Sequence, residues 1–283
     1  MRRAATTTDW TNRQQTHEMT AVAPSRLERA IRRDRVVVAL GLAAVTLLAW
    51  VYLVRMAALM NAAVSDKAMH AAMGMPEMAA WGTAEFVMLF LMWAVMMVAM
   101  MLPSAAPLIL LVVRTYRRRG ARARVLTFAF AAGYLIAWTV FSTAAAGMQL
   151  LLHRSALLSM DMASTSAIVG GAILLVAGAY QWLPLKAACL THCRSPLDFL
   201  MREWREGAAG ALVMGLRHGL YCVGCCWALM LLLFAAGVMN LLWVAAIAVF
   251  VLLEKLAPHG ARLGRLAGVL LIAWGGWVLS RGI

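Results

Sequence analysis

The stretch Leu220–Leu253, LYCVGCCWALMLLLFAAGVMNLLWVAAIAVFVLL, decides the fold, because it runs for 34 residues without a charged side chain. A membrane-crossing helix needs about 20 apolar residues, so this stretch is too long to be a single span. The sequence Gly237-Val-Met-Asn240 is typical of a tight turn and interrupts the run. The stretch therefore predicts a hairpin of two helices, each able to cross a bilayer.

The composition of the whole chain extends this prediction. The 283 residues are 64% hydrophobic and 13% charged, and the mean hydropathy is +0.79. Soluble domains are about 45–50% apolar and about 25% charged. The apolar runs are also longer than the 9–11 residues of a membrane β-strand. We therefore expect an all-α, polytopic transmembrane helical bundle that forms one domain over residues 36–283.

Seven apolar runs predict seven spans, or six if one of them re-enters the membrane. The predicted spans are 36–54, 85–113, 125–152, 166–185, 212–236, 240–256 and 264–281. Residues 1–35 are polar and rich in arginine, so we interpret them as a disordered basic cytoplasmic tail whose last part can extend into helix.

The +14 net charge is distributed unevenly about these spans. With the N-terminus inside, 22 of the 26 Lys and Arg residues fall on the cytoplasmic side, Lys186 and Lys255 among them. This asymmetry is the positive-inside pattern of a multi-pass protein of the bacterial inner membrane, and it argues against a nucleic-acid partner. The Glu254–Lys255 pair is assigned no special role. Disulfides are disfavoured on that reducing side.

All five cysteines lie in one 38-residue window, in two groups that each include a histidine. On a helix over 212–236, the second group forms one stripe, because residues three and four apart share a face. Gly215 and Gly219 allow another helix to approach closely, and we expect the neighbour to be the segment that follows span 166–185. The two groups then meet. The predicted metal ligands are Cys189, His192, Cys193, His218, Cys222, Cys225 and Cys226.

Buried thiolates require a compensating positive charge, such as a bound cation aided by Arg217, Arg194 or Lys186. Thiolates without carboxylates favour Cu(I) or Zn(II), and a structural zinc fits the number of ligands. Cys222-Val-Gly-Cys225 is also the Cys-x-x-Cys redox motif. A third interpretation treats the cysteines as small buried hydrophobic residues.

Methionine forms a second sulfur-rich group, since 12 of the 21 methionines fall between Met56 and Met101. Thioethers bind Cu(I) and remain usable where thiols oxidise. Packing in the span and an interfacial helix in the loop are the alternatives. The secondary metal candidates are Met69, His70, Met73 and Met75 in a polar loop, and Met92, Met96, Met97, Met100 and Met101 in the second span.

Three motifs carry a family resemblance: Met96-Met-Val-Ala-Met-Met-Leu-Pro-Ser-Ala-Ala-Pro107, Pro184-Leu-Lys-x-x-Cys189-Leu-x-x-Cys193-Arg-Ser-Pro196 and Gly215-Leu-Arg-His-Gly-x-Tyr-Cys-x-Gly-Cys-Cys-Trp-Ala-Leu-Met230. With them the chain resembles, over about residues 85–280, a family of predicted metal-binding integral membrane proteins long described as a domain of unknown function. Some members are similar to copper chaperones that help to mature polyphenol oxidases. The resemblance implies copper handling at a membrane.

We therefore expect an integral membrane protein that binds Cu(I) and delivers or translocates it to an extracytoplasmic acceptor. That acceptor would be a soluble copper-binding protein or a copper enzyme, and the other partner is the lipid bilayer. We expect no enzymatic activity, because no catalytic triad or phosphate-binding loop is present. The alternatives are a membrane thiol-disulfide oxidoreductase that uses Cys222 and Cys225, and a non-catalytic scaffold with structural zinc. The sequence also allows an oligomer.

Overall fold

A computed structural model of the chain describes residues 26–72, 83–118, 122–154 and 166–281. Within these ranges every regular element is an α-helix, which confirms the predicted all-α class. The nine helices of the described ranges are α1 (Arg26–Ala72), α2 (Thr83–Arg118), α3 (Ala123–Arg154), α4 (Ala167–Tyr180), α5 (Pro184–Arg194), α6 (Pro196–Glu203), α7 (Gly207–Ala236), α8 (Leu241–Leu256) and α9 (Gly260–Arg281).

The predicted count of seven spans is not confirmed. Among the described residues, five helices are long and apolar enough to cross a membrane: Arg33–Met60 within α1, and α2, α3, α7 and α9. The bent pair α4 and α5 makes a sixth if it is counted as one span. Helix α8 has only 16 residues. At 1.5 Å per residue it is about 24 Å long, which is shorter than the roughly 30 Å hydrocarbon core of a bilayer.

The predicted span 166–185 is broken near its end. Helix α4 stops at Tyr180, and α5 starts at Pro184 with its axis turned by 64°. Proline lacks the N–H that would continue α4, and it forces the residue before it into extended backbone. Leu183 accordingly has φ −69° and ψ 139°. The bend directs α5, and with it Cys189 and Cys193, onto α7.

The predicted turn between α7 and α8 is confirmed. Gly237 ends α7 with φ 96°, a left-handed backbone conformation that glycine adopts without steric cost. Asn240 then caps α8, because its side chain accepts a hydrogen bond from the N–H of Trp243. The uncharged stretch thus folds as a helical hairpin, although its second arm is short.

Glycines bring α3 and α7 into close contact, and these two helices share the most extensive interface of the bundle. A Cβ on Gly215 would collide with the backbone of Phe130, and one on Gly133 would collide with the backbone of Leu212. The predicted close approach at Gly215 and Gly219 is therefore present. The predicted neighbour was wrong: it is α3, and α5 packs on a different face of α7.

We expect Gly215→Ala to destabilise the protein by about 1–3 kcal/mol, because the added methyl overpacks a backbone contact. Gly147→Ala is the matched control on α3, since a Cβ there meets nothing within 4 Å. This control should be neutral or more stable by about 0.5–1 kcal/mol. Thermal unfolding in detergent measures both. Equal stability of the two variants would contradict the close contact.

The last part of the basic tail is helical, as expected from the sequence. Helix α1 begins at Arg26, so residues 26–35 are helical, and residues 1–25 lie outside the described residues. Asp34 accepts a hydrogen bond from Arg117 at the end of α2 and lies 3.9 Å from Arg124 Nη2 near the start of α3. These contacts hold the first turns of α1 against the end of α2 and the start of α3.

The methionine-rich loop lies outside the part of the chain whose side chains the structure describes. Met69 and His70 belong to α1, but their side chains lie outside the described set, and Met73 and Met75 lie outside it altogether. The orientation of the bundle across a membrane likewise stays a prediction.

Candidate metal centre

The stripe of histidine and cysteine predicted on α7 lies in the interior of the bundle. His218, Cys222, Cys225 and Cys226 are each at most 3% exposed. The thiols of Cys225 and Cys226 donate to the carbonyl oxygen of Cys222, at 3.1 and 2.9 Å. The helical periodicity that predicted this common face is therefore confirmed.

The two cysteine groups meet, as the sequence predicted. Cys193 on α5 places its Sγ 3.9 Å from the Sγ of Cys225. Two sulfurs that share a metal at about 2.3 Å are about 3.8 Å apart in tetrahedral geometry and about 4.0 Å apart in trigonal geometry. The spacing of Cys193 and Cys225 thus suits a common metal ion.

A thioether from α2 joins the cysteines. Met101 is fully buried, and its Sδ lies 3.9 Å from the Sγ of Cys226. We call the set Cys193, Cys222, Cys225, Cys226 and Met101 the sulfur cluster. The other candidate methionines of α2 are also buried in the core: Met92, Met96, Met97 and Met100.

The sulfur cluster is a set of neighbouring pairs, not a finished coordination shell. Within the part of the chain that the structure describes, no three His, Cys, Asp or Glu side chains are arranged around one point to hold a metal. Two of the thiols are turned toward a backbone carbonyl. Rotation of these side chains about their Cα–Cβ bonds would release the sulfurs, so metal binding requires a local rearrangement.

Lys255 supplies the positive charge at the sulfur cluster, and sequence reasoning missed it. Its ammonium lies 2.9 Å from Cys222 Sγ and 3.0 Å from Ser104 Oγ, and the side chain is buried. Tyr134 Oη is 3.3 Å from the same sulfur. An adjacent lysine stabilises a thiolate. Lys255 was counted from the sequence only among the charges of the cytoplasmic side, whereas its side chain is buried inside the bundle.

The three predicted counter-charges have other partners. Arg217 pairs with Glu203. Arg194 donates to the carbonyls of Ala257 and Pro258, at 2.6 and 2.9 Å. Arg217 therefore links α7 to α6, and Arg194 links α5 to the connection between α8 and α9.

Lys186, the third predicted counter-charge, forms a buried ion pair with Glu254. Its Nζ lies 2.7 Å from Oε1 and 2.9 Å from Oε2 of that carboxylate, and it also donates to Gln181 Oε1. A side chain on Gly264 would collide with the Glu254 carboxylate, so the glycine lets α9 pass over the pair. Glu254 was assigned no special role from the sequence, whereas in the structure it is the buried ion-pair partner of Lys186.

The remaining predicted ligands lie at the margins of the sulfur cluster. His218 is enclosed by the rings of Phe130, Tyr134 and Phe199, with centroids 5.2–6.3 Å away. Its Nδ1 is buried without a hydrogen-bond partner among the described residues. His218 precedes Cys222 by one helical turn.

Cys189 and His192 form the outer edge of the site. The ring of His192 stacks on Tyr221 at 4.3 Å, and its Nδ1 is 2.9 Å from the carbonyl oxygen of Ala188. Cys189 is half-buried, with its sulfur against the space at Gly224. The structure thus places these two ligands beside the sulfur cluster and not within it.

A model of the PpoB2 copper chaperone family matches residues 90–278 of the chain. The protein belongs to the PpoB2 copper chaperone family. The resemblance inferred from the sequence motifs is thereby confirmed. A search of curated proteins and a search of solved structures each found no match. The range that matches the PpoB2 model includes the whole sulfur cluster and Lys255.

Proposed function

We propose that this PpoB2 family protein is an integral membrane protein that binds Cu(I) in the sulfur cluster and passes it to an acceptor outside the cytoplasm. The observation that carries the proposal is the meeting of three elements. Cys193 of α5 lies 3.9 Å from Cys225 of α7, and Cys226 of α7 lies 3.9 Å from Met101 of α2.

The chemistry of these donors favours copper. Thiolates and thioethers are soft ligands, which select Cu(I) over Mg²⁺ or Ca²⁺. The neighbouring carboxylate of Glu254 is held by Lys186, so a hard cation has no free oxygen ligand from that residue. The ammonium of Lys255 stabilises a thiolate at Cys222 before the metal arrives.

The outer surface of the helices supports a place in the membrane. Large apolar side chains are exposed on several of the long helices, among them Leu48 of α1, Phe128 of α3 and Leu270 of α9. Soluble proteins rarely expose extended apolar patches, whereas lipid covers them without cost. The charged groups near the metal centre face inward, as expected of ionisable residues inside a membrane.

A membrane thiol-disulfide oxidoreductase is the second candidate function. Cys222 and Cys225 form its Cys-x-x-Cys motif, and the contact of Lys255 with Cys222 favours the reactive thiolate. A scaffold with structural zinc is the third, supported by the number of cysteines in the sulfur cluster.

Metal analysis of the full-length protein tests the proposal. The protein is purified anaerobically in detergent, loaded with Cu(I) and challenged with the Cu(I) chelator bicinchoninate. We expect about one copper to be retained per chain with sulfur ligands in X-ray absorption. Tightly held zinc without copper exchange would support the scaffold instead. Metal-free protein with a reversible Cys222–Cys225 disulfide would support the oxidoreductase.

A further inference from the structure

Two contacts set the register of α2 against α7. Cys226 of α7 lies beside Met101 of α2, with their sulfurs 3.9 Å apart. Phe234, eight residues further along α7, stacks on Trp93 of α2, with ring centroids 5.2 Å apart. Trp93 precedes Met101 by the same eight residues. The two helices are therefore antiparallel and in register over this distance, and the segment of α2 involved lies before its two prolines.

At the midpoint of this register, α7 and α2 each carry a methionine. Met230 follows Cys226 by four residues, and Met97 precedes Met101 by four. Both side chains are 0% exposed. Four residues of helix advance about 6 Å, so this pair lies about one turn beyond the sulfur cluster. Three other buried positions nearby on α7 carry leucine instead: Leu229, Leu232 and Leu233.

We propose that Met97 and Met230 form a second Cu(I) site, through which copper enters or leaves the sulfur cluster. This inference rests on the proposed function. On this register the row of sulfurs runs from Cys226 and Met101 through Met97 and Met230 toward the stacked pair of Trp93 and Phe234. The indole N–H of Trp93 donates to Gln149 Oε1 at 2.6 Å, which fixes that ring.

The chemistry of the step is ligand exchange. A bond from Cu(I) to a thioether of Met97 or Met230 forms as the bond to Cys226 breaks, and copper keeps its oxidation state. The negative charge stays on the cysteine sulfur, near Lys255. Met101 is in contact with Cys226, so it can remain bound to copper during the exchange. Two neutral thioethers hold Cu(I) more weakly than thiolates do, which suits a transfer site.

The test is the double variant Met97→Leu/Met230→Leu in the full-length chain. Leucine conserves volume, so the cost in stability should stay below about 1.5 kcal/mol. Proteoliposomes are loaded with a Cu(I)–glutathione complex, and bicinchoninate outside reports copper flux. We expect the variant to keep the copper of the sulfur cluster and to lose flux by at least tenfold. Met239→Leu, which removes a thioether from the α7–α8 turn, is the matched control with normal flux.

The outcomes separate this inference from the proposed function. A double variant with bound copper and wild-type flux would overturn the second site and leave the function in place. Wild-type protein that binds no copper would overturn both, and wild-type protein that binds copper without any flux would overturn the route.

If the double variant does not fold, selenomethionine-labelled wild-type protein provides the readout. A selenium–copper signal that does not grow between one and two equivalents of Cu(I) would overturn the second site.

Discussion

A protein carrying Cys222→Ser and Cys225→Ser should lose its copper. These substitutions remove the sulfur that contacts Lys255 and the sulfur that pairs with Cys193. The serine hydroxyl is a hard, protonated ligand that does not replace a thiolate for Cu(I). We expect at least a 100-fold weaker affinity, or about 2.8 kcal/mol, measured by competition with bicinchoninate. Copper per chain should then fall from about one to near zero.

Ala228→Ser is the control for the cysteine variant. Ala228 is fully buried on α7, so the change adds a hydroxyl to the same helix without removing a sulfur. It should bind copper like the wild-type protein, and gel filtration should show that both variants remain folded. Full copper retention by the double serine variant would place the metal outside the sulfur cluster and contradict the proposed function.

Lys186→Met should destabilise the protein by about 3–5 kcal/mol, because it leaves the buried carboxylate of Glu254 without its ion-pair partner. The lost ammonium also donates to Gln181. Unfolding monitored by circular dichroism in mixed micelles of increasing sodium dodecyl sulfate content measures the loss.

A second substitution separates the missing charge from lost packing. Lys186→Met combined with Glu254→Leu removes both charges, and such apolar replacement of a buried pair is often neutral or stabilising. We expect the double variant to recover most of the stability lost in Lys186→Met. If it is as unstable as the single variant, the lysine acts mainly through packing and the ion pair is not what stabilises this region.

Local sequence patterns were enough to predict much of the fold. The helices, the turn at Gly237–Asn240 and the common face of Cys222, Cys225 and Cys226 all follow from hydropathy and helical periodicity. These properties depend on residues a few positions apart, so a linear sequence displays them directly. The bend before Pro184 was not predicted in this way. A hydropathy average reports the composition of an apolar run, and it does not show that a proline within the run changes the direction of the helix.

The contacts of the charged residues depended on tertiary structure. From the sequence alone, Glu254 and Lys255 follow an apolar run and look like charges at a membrane edge. In the folded protein the last turn of α8 lies inside the bundle, where Lys255 contacts Cys222 of α7 and Glu254 pairs with Lys186 of α5.

By itself, the sequence determined the helical class, the soft character of the donors and the helix face that each cysteine occupies. Only the tertiary structure decided that Lys255 faces Cys222 and that Met101 joins the cysteines. The physical reason is that these pairs lie on helices distant in the chain. Their meeting depends on helix length, on the bend at Pro184 and on which helices the glycines allow to pack closely.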